Sequence, residues 1–224
     1  MASVTEMKRP CQNLLVVNTV TKRLGIIGAG GHGKVAADVA QRCGWNEVVF
    51  FDDRAEAGPF EHAHWQVVDH PGEIESYRCN AIFVAIGNAM ARQQWCERVV
   101  ELALPLASLV DPGAIVSEYA QIEPGVLIVA GAVINVDSQV RRGAIVNTRA
   151  SVDHDCIVGA YSHICPATAL AGGVIVGERS WIGIGSQVKQ SVTIGSDVMV
   201  GAGSTVLSDI PDSVTVVGTP ARQI

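Results

Sequence analysis

Residues 116–151 read VSEYAQ IEPGVL IVAGAV INVDSQ VRRGAI VNTRAS, and the same frame of six continues unbroken to Val206. Every hexad from Val116 onward opens with Val, Ile or Leu. Neither the 3.6-residue period of a helix nor the two-residue alternation of a strand produces this pattern. A fixed short period without drift is typical of a repeat architecture, and a period of six predicts a parallel β-helix.

The other positions of each hexad fit the corners and the narrow interior of a triangular coil. A small or slim residue follows each aliphatic residue by four positions, and Gly or Asn often follows it by one. Gly and Asn tolerate the positive φ of a tight corner. Three hexads would complete one coil, so each residue should stack on the residue three hexads further along. The alternative is a sandwich of antiparallel hairpins, which would not hold a six-residue frame over this length.

A different pattern precedes the repeat. Residues 23–33, RLGIIGAGGHG, read as a buried strand that runs through a glycine turn into a helix, and they satisfy G-x-G-x-x-G. Such a turn lets backbone amides approach a phosphate at a helix N-terminus. A second strand at residues 47–51 ends in Asp52-Asp53, about 20 residues past the glycines, where a dinucleotide fold places its ribose-binding carboxylate. The alternative is a glycine turn that only packs helix against strand.

The remaining elements divide the chain into three parts. We expect a short strand at residues 65–69, a short helix at 71–77, a strand at 81–86, a helix at 89–103 with Trp95, Val99 and Leu102 on one face, and a last strand at 106–110. Asp111-Pro112-Gly113 marks a boundary. The three parts are an N-terminal extension, a Rossmann-like α/β half domain and a β-helix domain, at residues 1–22, 23–110 and 111–224. The half domain suits a mononucleotide better than NAD.

Composition restricts the class of protein. A hydrophobic share of 48% and a charged share of 17% describe a globular chain. A net charge of −6 and a pI near 5.5 argue against nucleic acid and anionic membranes as partners. The six cysteines form no C-x-x-C pair, so we expect reduced thiols and a cytoplasmic protein. The apolar run at residues 14–17 is too short for a membrane span or a signal-peptide core.

Polar residues that interrupt the repeat mark the candidate chemistry. They are Asn147, the pair His154-Asp155, and His163. Three hexads beyond His154 stands Gly172, so the imidazole should have open space on one side and backbone amides nearby to hold a carbonyl oxygen. Asp155 would hold the imidazole in the tautomer that a general base needs. The alternative for each histidine is a surface or structural role.

Six segments together resemble the two-domain hexapeptide acyltransferases of sugar-nucleotide metabolism. They are GAGGHGK at 28–34, FDD at 51–53, AIGN at 85–88, NT at 147–148, VDHDC at 152–156 and VGTPAR at 217–222. The resemblance covers residues 23–224 and is nearest to the bacillosamine and perosamine N-acetyltransferases, in the group that includes sialic acid O-acetyltransferases. It implies a left-handed β-helix, a homotrimer with sites between subunits, acetyl-CoA as donor and no metal. The implied acceptor is a nucleotide-linked 4-amino-4,6-dideoxysugar of the GDP-perosamine or UDP-bacillosamine-precursor type.

The resemblance also implies residue roles. His154 matches the general base, Asp155 its acidic partner, and Asn147 a residue near the acceptor amine. The matching acetyl-CoA positions are His163, Gly172, Gly173, Ile184, Gly185, Gly201 and Ala202. The matching nucleotide-sugar positions are Gly30, Gly31, His32, Asp52, Asp53 and Asn88. Some members carry Glu at position 155, and the shorter Asp reaches less far toward His154.

Three other functions remain open from the sequence. The first is O-acetylation of a sugar such as sialic acid, for which the same base would serve. The second is a non-catalytic nucleotide-binding scaffold, and the third is NAD-dependent oxidation. The extension at residues 1–22 has no counterpart in the resemblance.

Overall fold

The computed structural model describes residues 22–224. The extension predicted at residues 1–22 and its apolar run therefore lie, but for the last residue, outside the described part of the chain. None of the helices in residues 22–224 is long and apolar enough to span a membrane.

The N-terminal domain is a five-stranded sheet with two α-helices. Its elements are β1 Arg23–Ile27, α1 Gly31–Arg42, β2 Glu47–Phe51, β3 Phe60–His62, β4 Trp65–Asp69, β5 Ala81–Val84 and α2 Ala89–Glu101, with 3-10 helices at Asp53–Ala57 and Pro71–Ser76. The strand order is β3-β4-β2-β1-β5, and every pair is parallel except β3 with β4. The chain turns to opposite sides of β1 to form β2 and β5, which is the kind of switch point where open α/β sheets bind ligands.

The predicted elements of this domain are largely confirmed, with local differences. Strand β3 was not predicted, because three residues are too short to show an alternating pattern. Helix α2 ends at Glu101 rather than at residue 103. The strand predicted at residues 106–110 was too long, since only Leu109–Val110 forms a strand.

Two-residue strands at six-residue intervals form a β-helix with three faces. The first face contains β7 Ile115–Val116, β10 Val133–Ile134, β13 Ser151–Val152, β16 Ala169–Leu170, β19 Gln187–Val188 and β22 Thr205–Val206. The second contains β8 Gln121–Ile122, β11 Gln139–Val140, β14 Ile157–Val158, β17 Ile175–Val176 and β20 Thr193–Ile194. The third contains β6 Leu109–Val110, β9 Leu127–Ile128, β12 Ile145–Val146, β15 His163–Ile164, β18 Trp181–Ile182, β21 Met199–Val200, β23 Thr215–Val217 and β24 Arg222–Gln223.

The strand register confirms the hexad frame. Each strand of the repeat pairs in parallel with the strand three hexads on, so Val152 lies between Ile134 and Leu170. Parallel pairing excludes the hairpin sandwich. The aliphatic column is the core, and hydroxyls among the small interior residues are satisfied by carbonyls of the next coil, as where Ser162 donates to Gly177 O at 2.6 Å.

The N-terminal domain packs against the beginning of the third face. Leu127 and Ile145 point outward from that face into the apolar cluster that also holds Ala36 and Ala40 of α1. At the end of α1, Arg42 forms an ion pair of 2.7 Å with the buried carboxylate of Asp111. Strand β6 already belongs to the third face, so the predicted domain boundary after residue 110 falls at the end of a β-helix strand.

Candidate active site

A column of outward-facing residues on the third face starts beneath the N-terminal domain and continues beyond it. It runs through Leu127, Ile145, His163, Trp181 and Met199, each paired in register with the next. The exposed fraction of the residue is 1% at Ile145, 6% at His163 and 44% at Met199. Exposure increases along this column, so the N-terminal domain no longer covers the third face beyond His163, and a cleft between the domains begins there.

His163 is held in one tautomer by its neighbour Asn147. The backbone N–H of Thr148 donates to Asn147 Oδ1 at 2.7 Å, which turns the amide nitrogen toward His163 Nε2 at 2.9 Å. Nε2 therefore accepts, and Nδ1 carries the proton. Burial, with the nearby His32 and Arg92, lowers the pKa of His163 to about 3. The ring is neutral, and its Nδ1 is buried without a partner among residues 22–224.

His32 lies across the cleft from His163. It is the second residue of α1, and its ring centroid is 6.1 Å from that of His163. Burial and the charge of Arg92 lower the pKa of His32 to about 4. Gly30 and Gly31 precede it, and no atom lies within 4 Å of where a Cβ would stand at either position. The first turn of α1 carries no side-chain cap, which leaves its amides available to an anion.

The acids after β2 differ in availability. Asp52 accepts a hydrogen bond from Ala29 N at 2.8 Å and another from Arg54 Nε at 2.6 Å. Burial alone would raise the pKa of Asp52, but these bonds outweigh it and the pKa is lowered. Asp53 is exposed and pairs with His70 at 3.2 Å. Of the two carboxylates expected to bind the nucleotide, Asp52 connects the glycine turn to Arg54, whereas Asp53 faces solvent.

Asn88 stands at the carboxyl end of β5 and caps α2. Its Oδ1 accepts from the backbone N–H of Ala91 at 3.0 Å. With Trp181 and Met199 it lines a cavity of about 510 Å³. Trp181 and Met199 also line the groove that contains His163, so Asn88 lies beside that groove.

A groove follows the corner between the third and first faces. Its volume is about 370 Å³, and its lining residues are Asn147, His163, Cys165, Pro166, Trp181, Gly183, Ile184, Met199, Val200, Gly201 and Ala202. Four of the positions expected to meet acetyl-CoA, His163, Ile184, Gly201 and Ala202, line this one groove. Gly185 follows Ile184 at the same corner with a φ of 68°.

His154 lies at a different corner, between the first and second faces. Its Nδ1 is 2.7 Å from Asp155 Oδ2, so the shorter carboxylate does reach the imidazole. The ring covers Gly172, since an added Cβ there would lie 2.5 Å from both Cε1 and Nε2 of His154. Gly173 N donates to His154 O at 2.9 Å. The predicted stacking of His154 on Gly172 is confirmed.

Acidic neighbours hold His154 on two sides. The hydrogen bond to Asp155, followed by the charge of Asp153, raises the pKa of His154 above its ordinary value. Asp153 Oδ1 also accepts from His154 N and from Asn135 Nδ2, each at 2.8 Å. The imidazole is therefore tethered through Nδ1, and its Cε1–Nε2 edge lies against the backbone of Gly172 while the side chain remains 56% exposed.

The sequence-derived site thus falls into two groups within one chain. His154, Asp155, Gly172 and Gly173 occupy the corner between the first and second faces. Asn147 and His163 occupy the next corner, so the width of the first face separates the groups. Asn147, which was expected beside the acceptor amine, contacts His163 rather than His154.

Two residues of the cleft were missed by the sequence analysis. Trp181 stacks edge-on against His163, with ring centroids 4.4 Å apart, and its position three hexads beyond His163 was the available signal. Arg92 is buried on α2, in an i, i+4, i+7 pattern with Cys96 and Val99. A charged residue on the otherwise apolar face of a predicted helix was the signal that could have identified Arg92. In the part of the chain that the structure describes, no group of three or more His, Cys, Asp and Glu side chains is arranged to hold a metal ion.

A Rossmann-like half domain set on a β-helix, with a histidine-lined cleft between them, defines a two-domain hexapeptide-repeat transferase. Residues 23–99 match the PglD N-terminal domain, and residues 173–208 match the bacterial transferase hexapeptide model of six repeats. The acetyltransferase domain of PglB from Neisseria gonorrhoeae, in complex with acetyl coenzyme A, is 40% identical with a TM-score of 0.87. The match covers 92% of this chain and 100% of that one.

PerB from Caulobacter crescentus, in complex with CoA and GDP-perosamine, is 38% identical with a TM-score of 0.85. That match covers 93% of this chain and 100% of PerB. The chain belongs to this family of two-domain hexapeptide-repeat acetyltransferases, and its β-helix is the left-handed one of the family.

Proposed function

We propose that this chain transfers the acetyl group of acetyl-CoA to the 4-amino group of a nucleotide-linked 4-amino-4,6-dideoxysugar. The sugar nucleotide would be of the GDP-perosamine or UDP-bacillosamine-precursor type. Similarity to PerB and to the PglB domain over their full lengths supports this assignment. The observation that carries it is the arrangement of His154, bound to Asp155 at 2.7 Å and packed with its Nε2 edge against the backbone of Gly172.

His154 is the general base of the proposed transfer. The Asp155 carboxylate only accepts hydrogen bonds, so Nδ1 of the neutral imidazole carries the proton and Nε2 has a free lone pair. As the sugar nitrogen attacks the thioester carbon, the N–C bond forms and Nε2 takes the proton from nitrogen. The C–S bond then breaks, sulfur leaves with the electron pair, and the imidazolium of His154 returns the proton to sulfur to give the CoA thiol. A positioned base of this kind contributes about 10²–10⁴-fold to the rate.

The backbone N–H of Gly172 stabilises the oxyanion that forms on the thioester carbonyl. Loss of one such donor typically costs about 10²–10³-fold in turnover. Gly173, which follows it, holds the corner in place through its bond to His154 O.

The acceptor binds along the carboxyl edge of the N-terminal sheet. The uncapped first turn of α1, with Gly30, Gly31 and His32, faces the diphosphate. Asp53 lies toward the nucleoside, with Asp52 shaping the turn beneath it, and Asn88 stands on the sugar side of the cleft.

Acetyl-CoA binds in the groove at the corner between the third and first faces. His163, Ile184, Gly201 and Ala202 line this groove, and Gly185 shapes the same corner. A volume of about 370 Å³ suits part of a slender pantetheine arm, and the neutral ring of His163 lies on the groove wall.

The active form is a homotrimer with a site between each pair of neighbouring subunits. The groups around His154 and around His163 lie on different corners of one chain, so they share one reaction centre only if two copies contribute to it. Exposed apolar side chains on the β-helix supply contact area, among them Val136, Ile175 and Ile184. The enzyme works in the cytoplasm, where acetyl-CoA and nucleotide sugars are made, and it supplies acetylated sugars for glycan assembly.

The variant His154→Asn tests the proposed base. Thiol release from acetyl-CoA in the presence of the amino-sugar nucleotide should fall at least about a hundredfold. CoA binding by calorimetry should be unchanged, because His154 is not among the residues that line the acetyl-CoA groove. His64→Asn is the matched control, since His64 is exposed in the N-terminal domain and contacts Trp65. Near-normal turnover in the His154 variant would remove this residue as the base.

A further inference from the structure

Arg92 is a buried cation whose hydrogen bonds all end on backbone carbonyls. The residue is 1% exposed. Its Nε donates to Gly143 O at 2.8 Å, its Nη1 to Ile86 O at 2.7 Å and to Gly87 O at 2.9 Å, and its Nη2 to Tyr161 O. No carboxylate of residues 22–224 forms an ion pair with it. A buried charge without a counter-charge is unfavourable unless its donors are hydrogen-bonded, and carbonyls accept from four of the five guanidinium N–H groups of Arg92.

The carbonyls that Arg92 binds belong to both domains. Ile86 and Gly87 follow β5 and lead directly to Asn88. Gly143 and Tyr161 lie on the β-helix, at the corner between the second and third faces. The Tyr161 ring fills the space beside Gly143, where an added Cβ would lie 2.5 Å from Tyr161 Cδ1. One guanidinium therefore joins the end of β5 to a closely packed corner of the β-helix.

Arg92 also stands close to the two neutral histidines of the cleft. Its positive charge adds to burial in lowering the pKa of both His32 and His163. Arg92 thus contacts the loop that leads to Asn88 and lies close enough to both imidazoles for its charge to act on them.

We propose that Arg92 is a positioning residue that sets the width of this cleft. It holds residues 86–88 at a fixed distance from the His163 side of the β-helix, so that a nucleotide sugar meets both walls at once. The identity of that ligand rests on the proposed function, whereas the connection between the two loops does not. The acetyl-CoA groove contains none of the residues that Arg92 binds, so loss of Arg92 should affect the acceptor and spare the donor.

The test compares Arg92→Met and Arg92→Lys with Arg98→Met, an exposed arginine on the same helix that pairs with Glu101. In Arg92→Met, kcat/KM for the nucleotide sugar should fall about a hundredfold, mainly through KM, because a displacement of about 1 Å has that effect. The dissociation constant of CoA should be unchanged. Lysine keeps the charge but has three donors on one nitrogen, so Arg92→Lys should show a smaller loss. Arg98→Met should behave as the unmodified protein.

Hydrogen–deuterium exchange reports on the connection without any substrate. Amides in residues 86–92 and 141–163 should exchange faster in both Arg92 variants and not in the Arg98 variant. A lower melting temperature with an unchanged KM for the acceptor would overturn the proposal and leave Arg92 a structural residue. So would equal losses of acceptor and CoA affinity, or the failure of both Arg92 variants to fold. If the unmodified chain acetylates no nucleotide amino sugar, the proposed function fails, while the exchange measurement still decides whether Arg92 joins the two loops.

Discussion

Replacing Gly172 with alanine should disable acetyl transfer without unfolding the protein. The new Cβ would lie 2.5 Å from Cε1 and Nε2 of His154, whereas ordinary contact begins at 3.4 Å. The imidazole must therefore retreat by roughly 1 Å, a displacement that can lower turnover about a hundredfold. The His154 side chain is exposed, so it can shift at the cost of weakening its bond to Asp155, and Gly172 does not have a positive φ. The free energy of unfolding should therefore change by less than about 1 kcal/mol.

The assay is thiol release with acetyl-CoA and the amino-sugar nucleotide, together with urea unfolding. Alanine keeps the backbone N–H at position 172, so the loss isolates the position of His154 from the oxyanion donor. Adding Gly172→Ala to His154→Asn should cause little further loss, because both changes remove the same interaction. Gln190→Ala, three hexads further along the same corner, is the control. Wild-type turnover in Gly172→Ala, or additive losses in the double variant, would refute this reasoning.

Four further outcomes are expected. Because Asp155 raises the pKa of His154, turnover should rise with pH through that raised pKa, and Asp155→Asn should move the rise to lower pH; an unmoved profile would count against the pair. In the unfolded chain both histidines bind a proton near pH 6.5, whereas the pKa is about 4 for folded His32 and about 3 for folded His163. The free energy of unfolding should therefore decrease as the pH is lowered from about 6.5 toward 3, by up to about 1.4 kcal/mol per pH unit for each histidine until its folded pKa is reached. Urea unfolding at each pH checks this, and glutamine at both positions should flatten the dependence. Cys156→Ala should keep its turnover, because the buried thiol only packs in the core and donates to Ala171 O, and a loss of turnover in a folded variant would indicate a covalent route. Mixing inactive His154→Asn with inactive His163→Ala should restore activity if the site joins two subunits, and a chain that is monomeric by light scattering would contradict it.

The β-helix could be predicted because the aliphatic residues recur every six positions, and this spacing determines the strand register. Once Val152 is known to lie on Leu170, the stacking of His154 on Gly172 follows without any tertiary information. The glycine turn and the strands of the N-terminal domain were equally local, since each depends on a run of neighbouring residues.

Most of the rest depends on contacts between elements far apart in sequence. Asn147 and His163 lie on adjacent coils and are hydrogen-bonded at the edge of the third face. The six-residue frame does not specify how side chains at such a corner are oriented, so this bond could not be predicted. The role of Arg92 depends on how α2 docks onto the β-helix. Spacing also could not show that Asp52 is already bound by Arg54, because that bond follows from the local path of the chain after β2.

Acetyl transfer itself is measured most directly by incubating the purified chain with acetyl-CoA and GDP-, UDP- or dTDP-linked 4-amino sugars. Thiol release is followed together with the mass of the sugar nucleotide. We predict that one of these acceptors gains a single acetyl group, that the product resists hydroxylamine as an amide does, and that one CoA thiol appears for each product. Thiol release without an acetylated amino sugar, or a hydroxylamine-labile ester as the product, would contradict N-acetylation.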